Sequence, residues 1–194
     1  MRIMLLALGL LASGAQAEPV QLEELTLQAE YPVTNMPGGN LSGLAMCGES
    51  LWAVSDRDDD RLYQLHAEDG LLRAEAETFV APEPPESLLP WGLRMRNWAS
   101  GLVRGGMLDF EGLSCDAQGN RYLVSETRAA VLQVASNGNA QWLNLPSGLV
   151  RQARASGMLL HFNQGFEGIA IDPAGDRLWL AAEQRRRGLT VLHR

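Results

Sequence analysis

Lysine is absent from this sequence of 194 residues, so all 16 of its basic residues are arginines. The acidic residues number 23, and the formal net charge is −7 at pH 7. Proteins bind nucleic acid through clustered positive charge, and the one basic run here is Arg185–Arg187. A short run of this kind beside Glu183 is typical of a solvated hairpin tip. The composition therefore argues against nucleic acid as a partner.

Cysteine and histidine are also scarce, with two and three residues in the whole chain. Cys47 and Cys115 do not form a CxxC pair and the histidines are scattered, which argues against a metal site built from these residue types. The cysteines stand one position out of register in equivalent segments of two similar units, described below. In an oxidising compartment they could form a disulfide between neighbouring units, but geometry decides this and both alternatives stay open.

Long apolar runs are missing except at the N terminus. There, Arg2 precedes an apolar run over residues 3–11, and the small-residue ending Ala15-Gln16-Ala17 follows. This layout is typical of a secretory signal peptide that is cleaved after Ala17, and the run is too short to span a bilayer. We therefore predict a signal peptide over residues 1–17, no membrane span, and a mature domain over residues 18–194 that is periplasmic or secreted.

The sequence also has no GxSxG motif, so the nucleophile elbow of the α/β-hydrolases finds no support. Ser55-Asp56 and Ser125-Glu126 place hydroxyls next to carboxylates, but adjacent residues of a strand point to opposite faces. Neither pair forms a catalytic dyad, and no histidine is evidently placed to act as a base. If the protein is an enzyme, we expect metal-assisted attack by water on a phosphate or carboxyl ester.

What the sequence does contain is one pattern in three copies, at Leu41–Leu65, Phe110–Val134 and Phe166–Leu192. Each copy has an acidic or small polar residue before a glycine, a short apolar run, a tight turn, a β-rich run that ends in an acid, and a last apolar run. Apolar runs separated by Asp, Asn and Gly indicate β-hairpins. A meander of this kind cannot bury both faces alone, so it stacks on copies of itself, as β-propeller blades do.

The connections between the copies carry insertions, because the copies lie further apart than the roughly 40 to 50 residues of common propeller blades. The segment His66–Val80 predicts a strand pair across the turn at Asp69-Gly70. A proline-rich run at Ala81–Leu89 then opens an insertion, whose tryptophans and arginines predict an ordered loop packed over one face. The segment Gly148–Leu160 predicts a short helix or a loop. The fold class is therefore all-β, with about three meander blades.

Three meanders do not close a ring, because propellers close with roughly four to eight blades. Either the sequence is the N-terminal half of a longer protein, or copies pair between chains. We expect the first, because nothing that resembles a terminal cap follows Leu192. On this expectation the domain at 18–194 is incomplete at its C terminus and belongs to a propeller of six-bladed type.

Acidic residues recur at equivalent positions of the copies, at the head before the glycine and at the end of the second run. They are Glu111, Glu167, Asp56, Glu126 and Glu183. The first strand of each propeller blade lines the central channel, so these residues are expected to converge. Converging carboxylates need a positive partner, and calcium, which takes several oxygen ligands, fits better than magnesium. The alternative is that each acid caps backbone amides or pairs with an arginine such as Arg57, Arg121 or Arg177.

Three segments together resemble a known family: WAVSDRDDDRLYQL, DFEGLSCDAQGNRYLVSET and FNQGFEGIAIDPAGDRLWLAAEQ. The run NQGFEGIA at residues 163–170 is the most specific piece. The segments are similar to the phytase-like propeller family, described as having esterase-like activity of phytase, over about Asn40 to Leu192. The resemblance points to the same five acids, although Ser42 stands where the other two copies have glutamate.

The resemblance implies an exported propeller that binds calcium in or near its channel and hydrolyses a small-molecule ester or phosphoester. Phytases of propeller shape bind phytate with clustered Lys and Arg, so phytate is not the substrate we expect for this lysine-free chain. The second hypothesis is a non-catalytic propeller that binds a ligand or partner and uses the acids to hold a structural calcium. Neither hypothesis names catalytic or substrate-binding residues.

Overall fold

The computed structural model describes residues 25–183 and 188–193. The predicted signal peptide and the run Arg185–Arg187 lie outside the described residues. The chain divides into two compact units, Met1–Glu30 and Tyr31–Arg194. The described part of the first unit, residues 25–30, contains no helix or strand. All elements named below belong to the second unit.

The described residues of the second unit form three meander sheets, which we call blades 1, 2 and 3. Strands consecutive in the chain pair antiparallel within each blade, except that the first strand of blade 1 pairs in parallel with its last strand, at the outer edge. The strands of blade 1 are β1 Val33–Thr34, β2 Gly43–Cys47, β3 Ser50–Val54, β4 Arg61–Glu68 and β5 Leu71–Thr78. Those of blade 2 are β6 Phe110–Cys115, β7 Arg121–Ser125, β8 Ala130–Val134 and β9 Ala140–Trp142. Those of blade 3 are β10 Phe166–Ile171, β11 Arg177–Ala182 and β12 Gly188–His193.

The inner strands of blades 1, 2 and 3, namely β2, β6 and β10, lie side by side, as the inner strands of β-propeller blades do. The glycine after each head residue permits this close approach. A Cβ on Gly112 would lie 2.5 Å from the carbonyl oxygen of Glu167, and one on Gly43 would lie 2.9 Å from the Cα of Gly112. The prediction of an all-β fold with three propeller-type meander blades is therefore confirmed.

The first hairpin turn of each blade explains why the repeated turn motif contains glycine. Gly119 and Gly175 occupy equivalent positions, and Gly48 begins the shorter turn of blade 1; their φ values are 78°, 79° and 63°, in the left-handed region that favours glycine. In blades 2 and 3 an aspartate closes the turn as well. Asp116 accepts two backbone N–H bonds and Asp172 accepts two others, each through its Oδ1 atom.

The core lies between the blades, so blade 2 is buried on both faces and every residue of β7 and β8 is buried. One hydrophobic cluster joins blade 1 to blade 2, with Trp52, Val54 and Leu62 against Leu113, Leu123 and Leu132. Another joins blade 2 to blade 3, with Tyr122, Val124 and Val131 against Phe166, Leu178 and Leu180. The outer blades each keep exposed apolar side chains, among them Leu44 and Met46 in blade 1 and Leu189 and Val191 in blade 3.

A disulfide and an ion pair also join blades 1 and 2. Cys47 at the end of β2 and Cys115 at the end of β6 are joined by a disulfide, with their Cα atoms 5.5 Å apart. Buried Arg121 of β7 donates to both carboxylate oxygens of Glu77 in β5, at 3.0 and 2.6 Å. Its guanidinium also lies 4.7 Å from the centre of the Trp52 ring. The disulfide between neighbouring units, which the sequence left open, is thus present.

The insertion between blades 1 and 2 contains a helix, α1, at Trp91–Arg104, so the prediction of a loop there is wrong. Pro90 precedes the helix, and Gly105, at φ 98°, ends it in the left-handed conformation that favours glycine. Asp59 holds the chain after α1, because its carboxylate accepts the N–H groups of Met107 and Leu108, both at 2.8 Å. The segment between blades 2 and 3 contains a second helix, α2, at Leu149–Ala155. No helix in the described part of the chain is long and apolar enough to cross a membrane.

Candidate functional site: a cluster of carboxylates

The candidate site lies at the edge of the blades where β6 and β10 begin and where β3, β7 and β11 end, which we call the acid edge. All five acids predicted from the sequence lie there, and the chain contributes a sixth, Asp109. They come from every blade: Asp56 from blade 1, Asp109, Glu111 and Glu126 from blade 2, and Glu167 and Glu183 from blade 3. The predicted convergence of the repeated acids is therefore what the fold produces.

Both head glutamates occupy β-bulges. The pairing of β6 with β7 shifts register between Phe110 and Gly112, and that of β10 with β11 shifts between Phe166 and Gly168. The extra residue is Glu111 in one case and Glu167 in the other. Bulges re-aim side chains and occur often beside active sites. The bulge therefore explains why each glutamate faces the cluster although it belongs to a regular hairpin.

Asp56, Asp109 and Glu111 form the tightest part of the cluster. Each can place one carboxylate oxygen within 4.8 Å of the other two. Asp56 and Asp109 are buried, and Glu111 is half-buried. Asp109 also has a φ of 55°, in the left-handed region that non-glycine residues rarely adopt. Strain of this kind persists only where the surrounding structure enforces it, and it concentrates at functional sites.

Glu126 lies between this trio and the acids of blade 3. Its Oε1 accepts the N–H of Gly165 at 2.9 Å, and its own N–H donates to the carbonyl oxygen of Asp109 at 3.0 Å. Gly165 must be small here, because a Cβ would lie 2.1 Å from the Cγ of Glu126. The alternative in which the acids cap backbone amides is thus realised by Glu126.

The pKa of Glu111 is raised to about 7, first because burial disfavours its charged form and then because Asp109, Glu126 and Asp56 repel it. The pKa of Glu167 is raised to about 8, again first by burial, and then by a hydrogen bond and charge repulsion from Glu183 and by the charges of Glu126 and Glu111. Glu183 itself is exposed. At neutral pH the cluster therefore retains protons that isolated carboxyl groups would lose.

Two of the three arginines considered as alternative partners, Arg121 and Arg177, are engaged elsewhere. Arg121 pairs with Glu77 at the opposite end of its blade, and Arg177 lies near Asp172. The acidic run after Asp56 also has structural roles. Asp58 accepts a hydrogen bond from Tyr63, Asp59 holds the chain after α1, and Asp60 pairs with Arg61. The run is thus a hairpin tip rather than a calcium-binding loop.

Asp109 is the site residue that sequence reasoning missed. Its position precedes the Phe-Glu-Gly head in blade 2, whereas the equivalent residue is Gly165 in blade 3 and Asn40 in blade 1. A search for acids common to the copies therefore passes over it. The signal in the sequence was a second acid two residues before Glu111, directly before the strand β6, whose bulge could not be predicted.

The cluster consists of carboxylate oxygens, which are the ligands that hard cations such as calcium prefer. One of them, Oδ1 of Asp56, is buried and has no hydrogen-bond partner among the described residues. A bound cation would give that atom a partner and would offset the repulsion that raises the pKa values of Glu111 and Glu167. The donor set of the acid edge therefore fits a hard divalent cation.

Comparison with known proteins places the sequence in a family. Residues 36–190 match the phytase-like family, described as "Esterase-like activity of phytase". Among curated proteins, none matches the chain significantly.

Several solved structures are similar to the chain at low sequence identity. Virginiamycin B lyase from Staphylococcus aureus is 12% identical, with 84% of this chain and 44% of that chain covered and a TM-score of 0.44. A putative 6-phosphogluconolactonase from Bacteroides uniformis is 14% identical over 84% and 41%, with a TM-score of 0.43. The calcium-binding protein regucalcin from Agrobacterium tumefaciens is 16% identical over 75% and 38%, with a TM-score of 0.38. The chain thus spans less than half the length of each of these structures.

Proposed function

Because the chain belongs to the phytase-like family, we propose that it is part of an exported propeller that hydrolyses a small-molecule ester or phosphoester with the help of calcium. The observation that carries the proposal is the acid edge, where six carboxyl groups from three blades converge and two of them have strongly raised pKa values. Perturbed carboxyl groups in one place are typical of functional sites. Export is supported by the disulfide, since disulfides persist in oxidising compartments.

Asp56, Asp109 and Glu111 are the residues that would hold the cation, with Glu126, Glu167 and Glu183 alongside. When bound, a cation of this kind polarises the ester oxygen and lowers the pKa of a coordinated water. Without a cation, burial and a hydrogen bond with Glu183 raise the pKa of Glu167 to about 8. Glu167 lies beside the trio, so it is placed to act as a general acid or base. Glu126 holds the start of β10 in place, because its carboxylate accepts the N–H of Gly165.

The test is hydrolysis of 4-nitrophenyl acetate and 4-nitrophenyl phosphate by the purified protein, with calcium and with a chelator. We expect turnover that needs calcium and that falls at least about 100-fold in Glu111→Gln and in Glu167→Gln, because general acid–base groups contribute about 10² to 10⁴ in rate. Glu75→Gln, an exposed glutamate of blade 1, is the matched control and should keep full activity. Turnover that is unaffected by the chelator and by both variants would contradict the proposal.

A non-catalytic role is the second candidate, and one observation favours it. The acids come from all three blades, so a cation held among them would join the blades whether or not it took part in a reaction. In that case calcium raises the melting temperature, Glu111→Gln abolishes this rise, and no ester is hydrolysed. Ligands that bind only the folded state raise its stability by RT ln(1 + [L]/Kd), so a melt with and without calcium detects the site.

A further inference from the structure

The insertion between blades 1 and 2 forms a second concave feature, which the acids do not explain. A cleft of about 340 Å³ lies beside α1, and it has the size of a site for a small organic molecule. Trp91 and Trp98 line it on one side, seven residues apart and hence on the same face of the helix. Met107 and Thr127, from the segments just outside β6 and β7, line the other side.

The aromatic face of this cleft is exposed. Trp91 and Trp98 are 70% and 51% exposed, and Met95 between them is 44% exposed. Helix α1 is nevertheless fixed in place, because Arg96 lies 4.8 Å from the centre of the Phe162 ring and the chain after the helix is held by Asp59. The two indole rings are therefore presented by an anchored element rather than buried as core.

A positive group stands at the same cleft. Arg128 lines it, and its Nε atom is buried and has no hydrogen-bond partner among the described residues. A buried N–H donor without a partner is costly, and an anionic group of a ligand would satisfy it with a charge-assisted hydrogen bond. Arg94 also lines the cleft, but it is paired with Glu86, another lining residue, so this pair adds no net charge and Arg128 is the group that would meet an anion.

The cleft adjoins the acid edge. Met107 lies two residues from Asp109, and Thr127 and Arg128 directly follow Glu126. Asn97 of α1 lines both the cleft and a smaller gap that Glu126 also lines. A molecule seated in the cleft would therefore extend toward the carboxylates.

We propose that this cleft is the substrate-recognition site of the protein and that it takes an aromatic group with an anionic substituent, such as an aryl phosphate or aryl carboxylate. The ring stacks against Trp98 and Trp91, and the anionic group accepts a hydrogen bond from Arg128. The proposal rests on the proposed function in one respect only, which is that the bound molecule is then hydrolysed. Binding itself needs neither the acids nor a cation.

The test is isothermal titration calorimetry with phenyl phosphate in the presence of a chelator, so that neither hydrolysis nor a bound cation contributes to the heat. We expect saturable one-to-one binding. Phenol lacks the anion and inorganic phosphate lacks the ring, so each should bind at least about tenfold more weakly. Phenyl phosphate that does not bind, or that binds no better than both fragments, would overturn the proposal.

Two variants locate the site. Trp98→Leu and Arg128→Gln should each weaken phenyl phosphate binding by about fivefold to tenfold, because one removes stacking and the other a charge-assisted hydrogen bond. Trp179→Leu in β11 and Arg151→Gln on α2 are the matched controls, since neither residue lines the cleft, and both should bind like the unmodified protein. Thermal melts confirm that all four variants are folded.

The outcomes separate this proposal from the proposed function. Binding that depends on Trp98 and Arg128 without any hydrolysis would support the cleft and contradict the enzyme. Hydrolysis with equal binding by all variants would support the enzyme and overturn the cleft. If both proposals hold, Trp98→Leu should raise KM for an aryl phosphate, because it removes a ring contact that is made on binding. The value of kcat should change by less than about twofold, because that contact is equally present in the bound substrate and in the transition state.

Discussion

Both ends of the blades carry carboxyl groups, but the pKa values of these groups are shifted in opposite directions. At one end lie the hairpin turns β2–β3, β6–β7 and β10–β11, which we call the turn edge; at the other lies the acid edge. The pKa of Asp116 at the turn edge is lowered, because hydrogen bonds from Asn120, Tyr122 and the backbone outweigh the opposing effect of its burial. The pKa values of Glu111 and Glu167 at the acid edge are raised to about 7 and about 8.

The difference shows which end provides hydrogen-bond donors for its own carboxylates. At the turn edge each aspartate accepts N–H or O–H donors from its own hairpin, and a disulfide joins the inner strands of blades 1 and 2. At the acid edge Glu111 and Glu167 are partly buried beside other carboxyl groups, whose charges raise their pKa values further. The turn edge therefore stabilises the fold, whereas protons are held near neutral pH at the acid edge, and perturbed carboxyl groups of this kind are typical of functional sites.

The largest effect is expected from the disulfide at the turn edge. Replacing Cys47 and Cys115 together by serine removes a cross-link that spans 68 residues of sequence. Closing a loop of this length constrains the unfolded chain, so its loss should lower the free energy of unfolding by about 4 kcal/mol. The measurement is urea denaturation followed by tryptophan fluorescence. Binding of calcium at the acid edge should survive in the folded fraction, and a loss of stability below about 1 kcal/mol would contradict the assigned role.

A smaller effect is expected from Asp116, which is the aspartate with most partners at the turn edge. Asp116→Ala leaves the N–H groups of Gln118 and Asn120 and the Tyr122 hydroxyl without their acceptor, and Tyr122 is buried. The expected loss is about 2 kcal/mol of unfolding free energy, measured in the same way. Asp172→Ala, the equivalent change in blade 3, is the control and should cost clearly less, because Asp172 is only half-buried, whereas Asp116 is buried and also accepts from the buried Tyr122 hydroxyl. Equal losses would mean that burial does not distinguish the two turns.

The sequence allowed the turn edge and the convergence of the acids to be predicted, because both follow from local or repeated signals. Gly119 and Gly175 stand where the turn needs a left-handed residue, and the turn aspartates act within their own hairpins. Glu111 and Glu167 recur at one position per copy, so any stacking of the copies brings them together. These features depend little on details of packing.

The remaining features depend on contacts between distant segments. Helix α1 has apolar residues at helical spacing, but its two internal glycines lower the helix propensity and its apolar face stays exposed, so the sequence alone does not separate it from a loop. Asp109 occurs in one copy only, and its left-handed backbone is set by the surrounding blades. The raised pKa values likewise arise from burial and from neighbours on other strands. None of these can be deduced from periodicity or composition.

The smallest effect is expected at the acid edge, in the pH dependence of stability without a cation. The folded pKa values of Glu111 and Glu167 lie above their ordinary value of 4.5, so the folded state binds more protons than the unfolded state in this range. Their contribution to stability is therefore fully present below about pH 4.5 and is lost as the pH rises through about 7 and about 8. Lowered pKa values at the turn edge act in the opposite direction, and there stability is lost as the pH falls through the folded pKa of Asp116.

In a chelator, the melting temperature should therefore fall by about 2 to 4 °C between pH 5.5 and pH 9, which corresponds to about 1 kcal/mol for partly exposed groups. The double variant Glu111→Gln/Glu167→Gln should be nearly flat over this range, since an amide does not titrate, whereas Asp116→Ala should keep the slope of the unmodified protein. Calcium replaces the protons at higher pH, so it should raise the melting temperature more at pH 8 than at pH 5.5 and should not do so in the double variant. If the melting temperature of the double variant still falls with pH, groups other than Glu111 and Glu167 titrate in this range. The contrast between the two edges would then be contradicted.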